Sequence, residues 1–327
     1  MHVLLVNYAR IPVFAYGGTE RVIWDLAWGL TQLGHQVTFL APEGSHCDFA
    51  KVLVFDTERP LKEQIPKNVD IVHFQFQPDF DLDSDFDLPY LMTEHGNYNR
   101  KPFRPLNTVF VSRDHAARHN SKEFIYNGLN WDAYGPVDFS AARKNFHFLG
   151  KAEWSVKNVK GAIEVAKKAK VTLDVLGGDR FNFRRGFRMT FSRRIIFHGM
   201  VGGEEKFRLL NGSQGLIFPT RWHEPFGLCM IESLYFGCPV FGTTYGALPE
   251  LITGDVGLLA NSAKELALAV REKQFDPKVC HEHARDTYNA LAMVRGYVAA
   301  YERILNGEKL NATPPFLTNK SRKMLPW

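Results

Sequence analysis

Residues 215–234 read GLIFPTRWHEPFGLCMIESL, and this order of residue types points to one local architecture. Gly215 to Phe218 is a short apolar run of the kind that forms a buried strand. Pro225 and Gly227 then break the chain, and the residues from Gly227 to Phe236 have helical spacing. Strand, tight loop and helix make up the repeating unit of a parallel α/β sheet, where ligands bind beyond the carboxyl ends of the strands. Glu224 falls in the loop and Glu232 about one turn into the helix, roughly 7–10 Å further along at 1.5 Å per residue. A helix start presents free amides and the positive end of a dipole, so a diphosphate fits between the two acids. Taken singly, Glu224 reads as a cap and Glu232 as a solvated acid. Taken together, they suit hydroxyl acceptors, one for each sugar ring of a nucleotide sugar.

The alternation extends outward in both directions. Towards the N-terminus, strands are expected at Val3 to Asn7, Gln36 to Leu40, Val52 to Phe55, Ile71 to Phe74, Tyr90 to Thr93 and Val109 to Ser112. Val22, Ile23, Leu26, Leu30 and Leu33 mark a helix between the first two, stopped by Gly34. After the turn-rich stretch 131–136 the pattern restarts, with strands at Phe146 to Leu149, Val171 to Leu176, Ile195 to His198, Gly215 to Phe218, Pro239 to Gly242 and Val256 to Leu259. Helical patterns lie at Val159 to Lys168, Glu204 to Leu210, Gly227 to Phe236 and Ala263 to Arg271, with one long tail from Lys278 to about Asn306. The expectation is an α/β protein of two Rossmann-like, doubly wound domains, residues 1–135 and 136–305, facing each other across a cleft. Residues 306–327 form a tail.

Composition agrees. A chain of 327 residues exceeds the size at which one core stops growing, and 45% hydrophobic with 23% charged residues excludes a disordered chain. The four cysteines, Cys47, Cys229, Cys238 and Cys280, lack metal-ligand spacing, which suits a reducing cytoplasm. Met1 to Asn7 lacks the basic lead-in and length of a signal peptide, and no run approaches the ~20 apolar residues of a membrane span. Residues 1–135 carry 12 Lys+Arg against 17 Asp+Glu, and residues 136–327 carry 28 against 18. The basic half suits phosphate-bearing ligands or anionic surfaces, or is simply a solvated surface, and no nucleic-acid partner is expected. The acidic run from Asp79 to Asp87 lacks the glycine turn and terminal glutamate of a calcium loop and reads as solvated, so no metal site is expected.

The segment holding Glu224 and Glu232 resembles the acidic motif, two glutamates separated by seven residues, of the retaining glycosyltransferases of family 4, which have the GT-B fold. Gly17-Gly18-Thr19-Glu20-Arg21-Val22 with Leu33-Gly34-His35-Gln36-Val37 is similar to that family's first loop, first helix and second strand. Ile125 to Asn130, Gly237-Cys238-Pro239-Val240 and Gly246 to Leu251 resemble further family motifs, in the family's order. The resemblance implies a metal-independent enzyme with no cofactor beyond a UDP- or GDP-linked sugar donor. It implies that the second domain binds the donor and the first a glycan or lipid-linked acceptor, in bacterial surface polysaccharide or glycolipid synthesis, with the tail near Trp327 returning to the first domain. Glu232 would accept from the donor ribose and Glu224 from the transferred sugar, with the amides of Phe226, Gly227 and Leu228 completing the site. Lys151 and Lys157 stand where the family keeps a basic pair that stabilises the departing diphosphate, although the family usually has arginine at the place of Lys151. Gly17 and Gly18 would let backbone approach a phosphate or acceptor, and His95 matches a histidine near the donor sugar. Gly177-Gly178-Asp179, which follows the strand Val171 to Leu176, is a second place where side-chain-free backbone could border the nucleotide.

The resemblance fades where Arg180, Arg184, Arg185, Arg188, Arg193 and Arg194 mingle with Phe181, Phe183, Phe187 and Phe191. Peripheral contact with an anionic membrane, an anionic acceptor and a solvated loop are all open there. Two other functions are compatible with the frame, a GT-B epimerase or phosphorylase and a non-catalytic sugar- or nucleotide-binding module.

Overall fold

The computed structural model describes residues 1–12, 17–97, 103–182, 188–318 and 324–327. In chain order the elements are β1 (His2–Val6), α1 (Gly18–Gln32), β2 (Gln36–Ala41), β3 (Lys51–Val54), β4 (Ile71–Phe74), β5 (Tyr90–Glu94), β6 (Thr108–Phe110), α2 (Arg113–Arg118), β7 (Asn145–Leu149), α3 (Val159–Ala169), β8 (Leu173–Leu176), β9 (Phe181–Asn182), β10 (Arg188–Met189), β11 (Ile195–Phe197), α4 (Gly203–Asn211), β12 (Ser213–Phe218), α5 (Leu228–Tyr235), β13 (Val240–Gly242), α6 (Leu248–Leu251), β14 (Gly257–Leu259), α7 (Ala263–Glu272), α8 (Pro277–Thr287) and α9 (Ala290–Leu305). They group into two units, Met1–Trp131 with Tyr288–Lys320, and Asp132–Thr287 with Ser321–Trp327.

Unit 1 is built on a parallel six-stranded sheet of order β3-β2-β1-β4-β5-β6. Its central strands are apolar on both faces, so both faces must be covered. Alternation along β4 shows how. Val72 and Phe74 enter a cluster with Leu4, Leu40, Leu82 and Met92, while His73 meets α9 through the hydroxyl of Tyr301, 2.7 Å from its Nδ1. The run 79–87 closes the first of these faces. The rings of Phe80 and Phe86 lie 6.0 and 5.6 Å from that of Phe74, and all five aspartates of the run are exposed.

Unit 2 repeats the plan. Its parallel sheet runs β11-β8-β7-β12-β13-β14, the same third-second-first-fourth-fifth-sixth order once the small hairpin β9-β10 is set aside. Both sheets therefore have the doubly wound strand order, whose ligand crevice opens where the order reverses. For unit 2 that point is between β7 and β12. Helix α3 packs with α7, and α5 with α8.

The long helical tail expected from Lys278 to Asn306 is instead two helices in two units. Leu129 N donates to Tyr288 O at 3.0 Å and Ala290 N to Leu129 O at 2.9 Å, which keeps Tyr288 and Asn289 out of any helix, and the Asn289 side chain then caps α9 at Ala292 N, 2.8 Å away. The unit boundary accordingly falls at Trp131, four residues before the expected one, and α9 belongs to unit 1 rather than with the residues before it. The tail also divides. Phe316 N and Thr318 N bond to His119 O and Arg118 O of unit 1, at 2.9 and 3.0 Å, whereas Leu325 N bonds to Arg221 O of unit 2 at 2.7 Å, so the segment at Trp327 does not follow the expected return to the first domain. Among the described residues no helix is long and apolar enough to cross a membrane. All four cysteines are free.

Candidate active site

The carboxyl ends of β7 and β12, at the reversal of strand order in unit 2, lead into the loops that carry Lys151, Lys157 and Glu224. These loops are tied to one another. Asn158, at φ +57°, caps α3 by accepting from Gly161 N at 3.0 Å and donates through Nδ2 to Pro219 O at 2.9 Å. Arg221 N donates to Val156 O at 2.7 Å, and the Thr220 hydroxyl to the same oxygen at 3.1 Å. The result is a fixed place for Lys157. Its ammonium lies 2.6 Å from Glu224 Oε2, with the rings of Trp222 and Phe218 centred 5.0 and 5.4 Å away. Trp222 Nε1 donates to the same carboxylate oxygen at 2.7 Å. A carboxylate with a charged donor and an indole donor is held in one rotamer.

The backbone of Glu224 is equally constrained. Ala247 N donates to its carbonyl at 2.9 Å, and Gly246, at φ +66°, lies so close that a Cβ there would strike the Glu224 N and O atoms. Gly227 precedes α5 at φ +92°, where a side chain would be strained and would press on Glu224 Cγ at 3.1 Å. Phe226 is buried beside it, whereas Gly227, Leu228 and Cys229 are partly exposed. Among the described residues no side chain caps α5, so its first amides are presented at the place where Glu224 stands.

Glu232, in the second turn of α5, is buried, and its surroundings were not legible in the sequence. Its Oε1 is 2.6 Å from the ammonium of Lys206 on α4 and 3.0 Å from the hydroxyl of Tyr134. Lys206 in turn lies over the Tyr134 and Phe207 rings, 5.4 and 5.5 Å from their centroids. The adjacent Ser233 hydroxyl is 2.8 Å from His147 Nε2, and His147 Nδ1 is 2.6 Å from Ser233's counterpart on β12, Ser213. Burial lowers the pKa of His147 to about 3, with Arg143 adding to the shift and Glu232 opposing it, so it is a neutral link between sheet and helix. One signal for Lys206 was available: it sits four residues before buried Leu210, on the apolar stripe of its helix.

The remaining residues singled out in the sequence lie as follows. Lys151 follows β7 with its ammonium 5.3 Å from the Trp154 ring centroid, and Ala152 N donates to Gly177 O at 2.8 Å, which joins this loop to Gly177-Gly178. In unit 1, Gly17 and Gly18 form the start of α1, and Gly17 O accepts from Arg21 N at 3.3 Å. His95, at the end of β5, has Nε2 2.8 Å from Gln75 Oε1, and burial lowers its pKa to about 4. Phe183, Arg184, Arg185 and Phe187 lie outside the described residues.

Unit 2 thus sets two buried acids and a lysine about a helix start on a doubly wound sheet. Residues 16–120 match the family described as Glycosyltransferase Family 4, and residues 143–273 that described as Glycosyl transferases group 1. Together these matches span most of the chain, which belongs to this glycosyltransferase family and has the GT-B fold. A Klebsiella pneumoniae protein, described as an uncharacterized 41.2 kDa protein in the cps region, is 28% identical over 148 residues, 43% of this chain and 40% of that protein. The chain thus matches less than half the length of that relative. The O-antigen chain mannosyltransferase C of Escherichia coli is 21% identical over 372 residues, covering 94% of this chain and 100% of the relative. Among solved structures, AviGT4, a glycosyltransferase involved in avilamycin A biosynthesis, shares the fold with a TM-score of 0.74 at 21% identity, over 94% of this chain and 98% of its own. Anabaena HepE in complex with UDP-glucose shares it with a TM-score of 0.63 at 16% identity, over 92% and 99%.

Proposed function

We propose that the protein transfers a sugar from a nucleoside-diphosphate sugar to a hydroxyl acceptor, with retention of anomeric configuration and without a metal. The observation that carries this reading is the ion pair of Lys157 with Glu224 beside the uncapped start of α5. As the glycosidic bond breaks, negative charge grows on the diphosphate. Lys157, with three N–H donors, can hold Glu224 and still reach that charge, and the first amides of α5 meet it from the helix axis. Glu224 then accepts from hydroxyls of the transferred sugar, and Glu232 from the ribose, its Lys206 and Tyr134 bonds fixing the carboxylate that the ribose meets.

Unit 2 is the donor-binding half on this reading, and unit 1, with Gly17, Gly18 and His95, the acceptor-binding half. Attack from the same face as departure, with the leaving phosphate taking the acceptor proton, needs no separate protein base. The O-antigen mannosyltransferase among its relatives and the UDP-glucose complex among its fold neighbours support a nucleotide-sugar donor and a role in surface polysaccharide or glycolipid synthesis. A panel of UDP- and GDP-sugars tests the donor: the true one raises the melting temperature of the wild type, because a ligand of the folded state stabilises it. Loss of that shift in Glu232→Ala is expected. An unchanged shift in that variant refutes the site, and activity abolished by a chelator refutes the metal-free chemistry.

A further inference from the structure

Strands β8 and β11 are parallel neighbours, paired from Leu173 with Ile195 to Val175 with Phe197. A parallel connection is ordinarily a crossover helix that lays its apolar side on the sheet. Here the described part of the connection is the antiparallel hairpin β9-β10, and its apolar side chains face solvent. Phe181 and Met189 are opposite each other in the register, 45% and 43% exposed, and Phe191 is 76% exposed with its ring 6.0 Å from that of Phe181. Single exposed apolar residues are ordinary, but three adjoining ones are not.

The hairpin is fastened. Arg180 donates to Thr190 O, Ser192 O and Ile195 O at 2.9, 3.2 and 2.7 Å, which fixes the exposed rings to the edge of the sheet. Its surroundings are basic. Arg193 and Arg194 are exposed, and Arg194 reaches Lys170 O at 2.6 Å, next to the exposed lysines Lys167 and Lys168 that end α3. In sequence, residues 177–200 hold six arginines and a single acid, Asp179.

From the solvent-facing side chains of Phe181, Met189 and Phe191 and the basic residues beside them we infer that this edge of unit 2 docks the enzyme on an anionic lipid bilayer. Phe181, Met189 and Phe191 enter the boundary between headgroups and acyl chains, and Arg193, Arg194 and Lys170 meet lipid phosphates. A protein partner would also accept aromatic and arginine side chains, but the exposed Lys167, Lys170, Arg193 and Arg194 together favour a surface that is negative throughout. The inference does not depend on the donor site, which lies on other loops.

The test is co-sedimentation of the full chain with vesicles of phosphatidylglycerol and phosphatidylethanolamine, and with vesicles of phosphatidylcholine alone. The wild type is expected to pellet with the anionic vesicles and to be released by salt. Phe181→Ser/Phe191→Ser, both at exposed positions, should bind at least about tenfold more weakly while melting like the wild type. Arg193→Glu should weaken binding to anionic vesicles and leave the melting temperature unchanged. Wild type left in the supernatant, equal binding to both vesicle types, or undiminished binding by the double phenylalanine variant overturns the proposal.

Discussion

The ammonium of Lys206 stands 2.6 Å from Glu232 Oε1, and both side chains are almost wholly buried, at 11% and 3% exposure. The acid proposed above to meet the donor ribose is therefore already half of an internal ion pair. Its cation comes from α4, a helix outside the loop-and-helix segment that carries both glutamates.

Removing one member of such a pair leaves the other buried without compensation. Lys206→Met should lower the unfolding free energy by about 3–5 kcal/mol, and Lys206→Met/Glu232→Gln should recover most of it. Urea denaturation of the two variants checks this. A double variant no more stable than the single one would show that Tyr134 and packing, rather than charge, hold Glu232.

Lys157→Met removes the cation at Glu224 and at the departing diphosphate. We expect kcat to fall about 100-fold or more, with a smaller change in donor KM, since the charge it meets is largest in the transition state. Lys157→Arg should keep part of the rate. Steady-state kinetics with the donor identified by the thermal panel gives the answer, and a loss confined to KM would argue against a role in departure.

Acid should unfold the protein earlier than its carboxylates alone require. His147 is neutral in the fold, with a pKa of about 3 against about 6.5 in an unfolded chain, and burial likewise lowers His73, His95, His115 and His119. The unfolded chain binds these protons first as pH falls. The stability they contribute is complete above about pH 6.5 and declines towards pH 3, by up to about 1.4 kcal/mol per pH unit for each histidine. Melting temperatures measured from pH 8 to pH 5 should fall, most steeply below 6.5. A flat profile over that range would mean that the buried histidines protonate without unfolding.

Gly246→Ala should both strain the backbone, by at least about 1 kcal/mol, and push on Glu224. Gly307→Ala is the control, because Gly307 is also left-handed, at φ +87°, but a Cβ there meets nothing within 4 Å. Both variants should melt lower, whereas donor turnover should fall only in Gly246→Ala. Equal turnover in the two would mean that the Gly246 contact does not position Glu224.

The strands were legible because runs such as Leu4 to Val6 and Leu216 to Phe218 are buried on both sides and so are apolar without interruption. Two kinds of feature were hidden. Helix α2 has six residues and hairpin β9-β10 two per strand, too short for any periodicity to register. The break between α8 and α9 depends on a long-range bridge from Leu129 to Asn289, which local pattern cannot contain. At the site, Glu224 and Gly227 stood out through local spacing, and Lys157 only through the family resemblance. Tyr134, which sits in a stretch legible only as a junction, and Lys206, which had merely the look of a helical lysine, acquire meaning from a fold that brings them to Glu232.

Unit 1 is interrupted by Asp132–Thr287, the bulk of unit 2, and this sets a timetable for the nascent chain. His73 waits for Tyr301, which is 228 residues later, so at ribosomal speeds one face of the first sheet stays bare for on the order of ten to fifty seconds. Unit 2 has most of its sequence in one stretch and can mature in that interval. The first half to be begun thus stays open while the bulk of the second is made, and it is the half for which a chaperone has time to intervene.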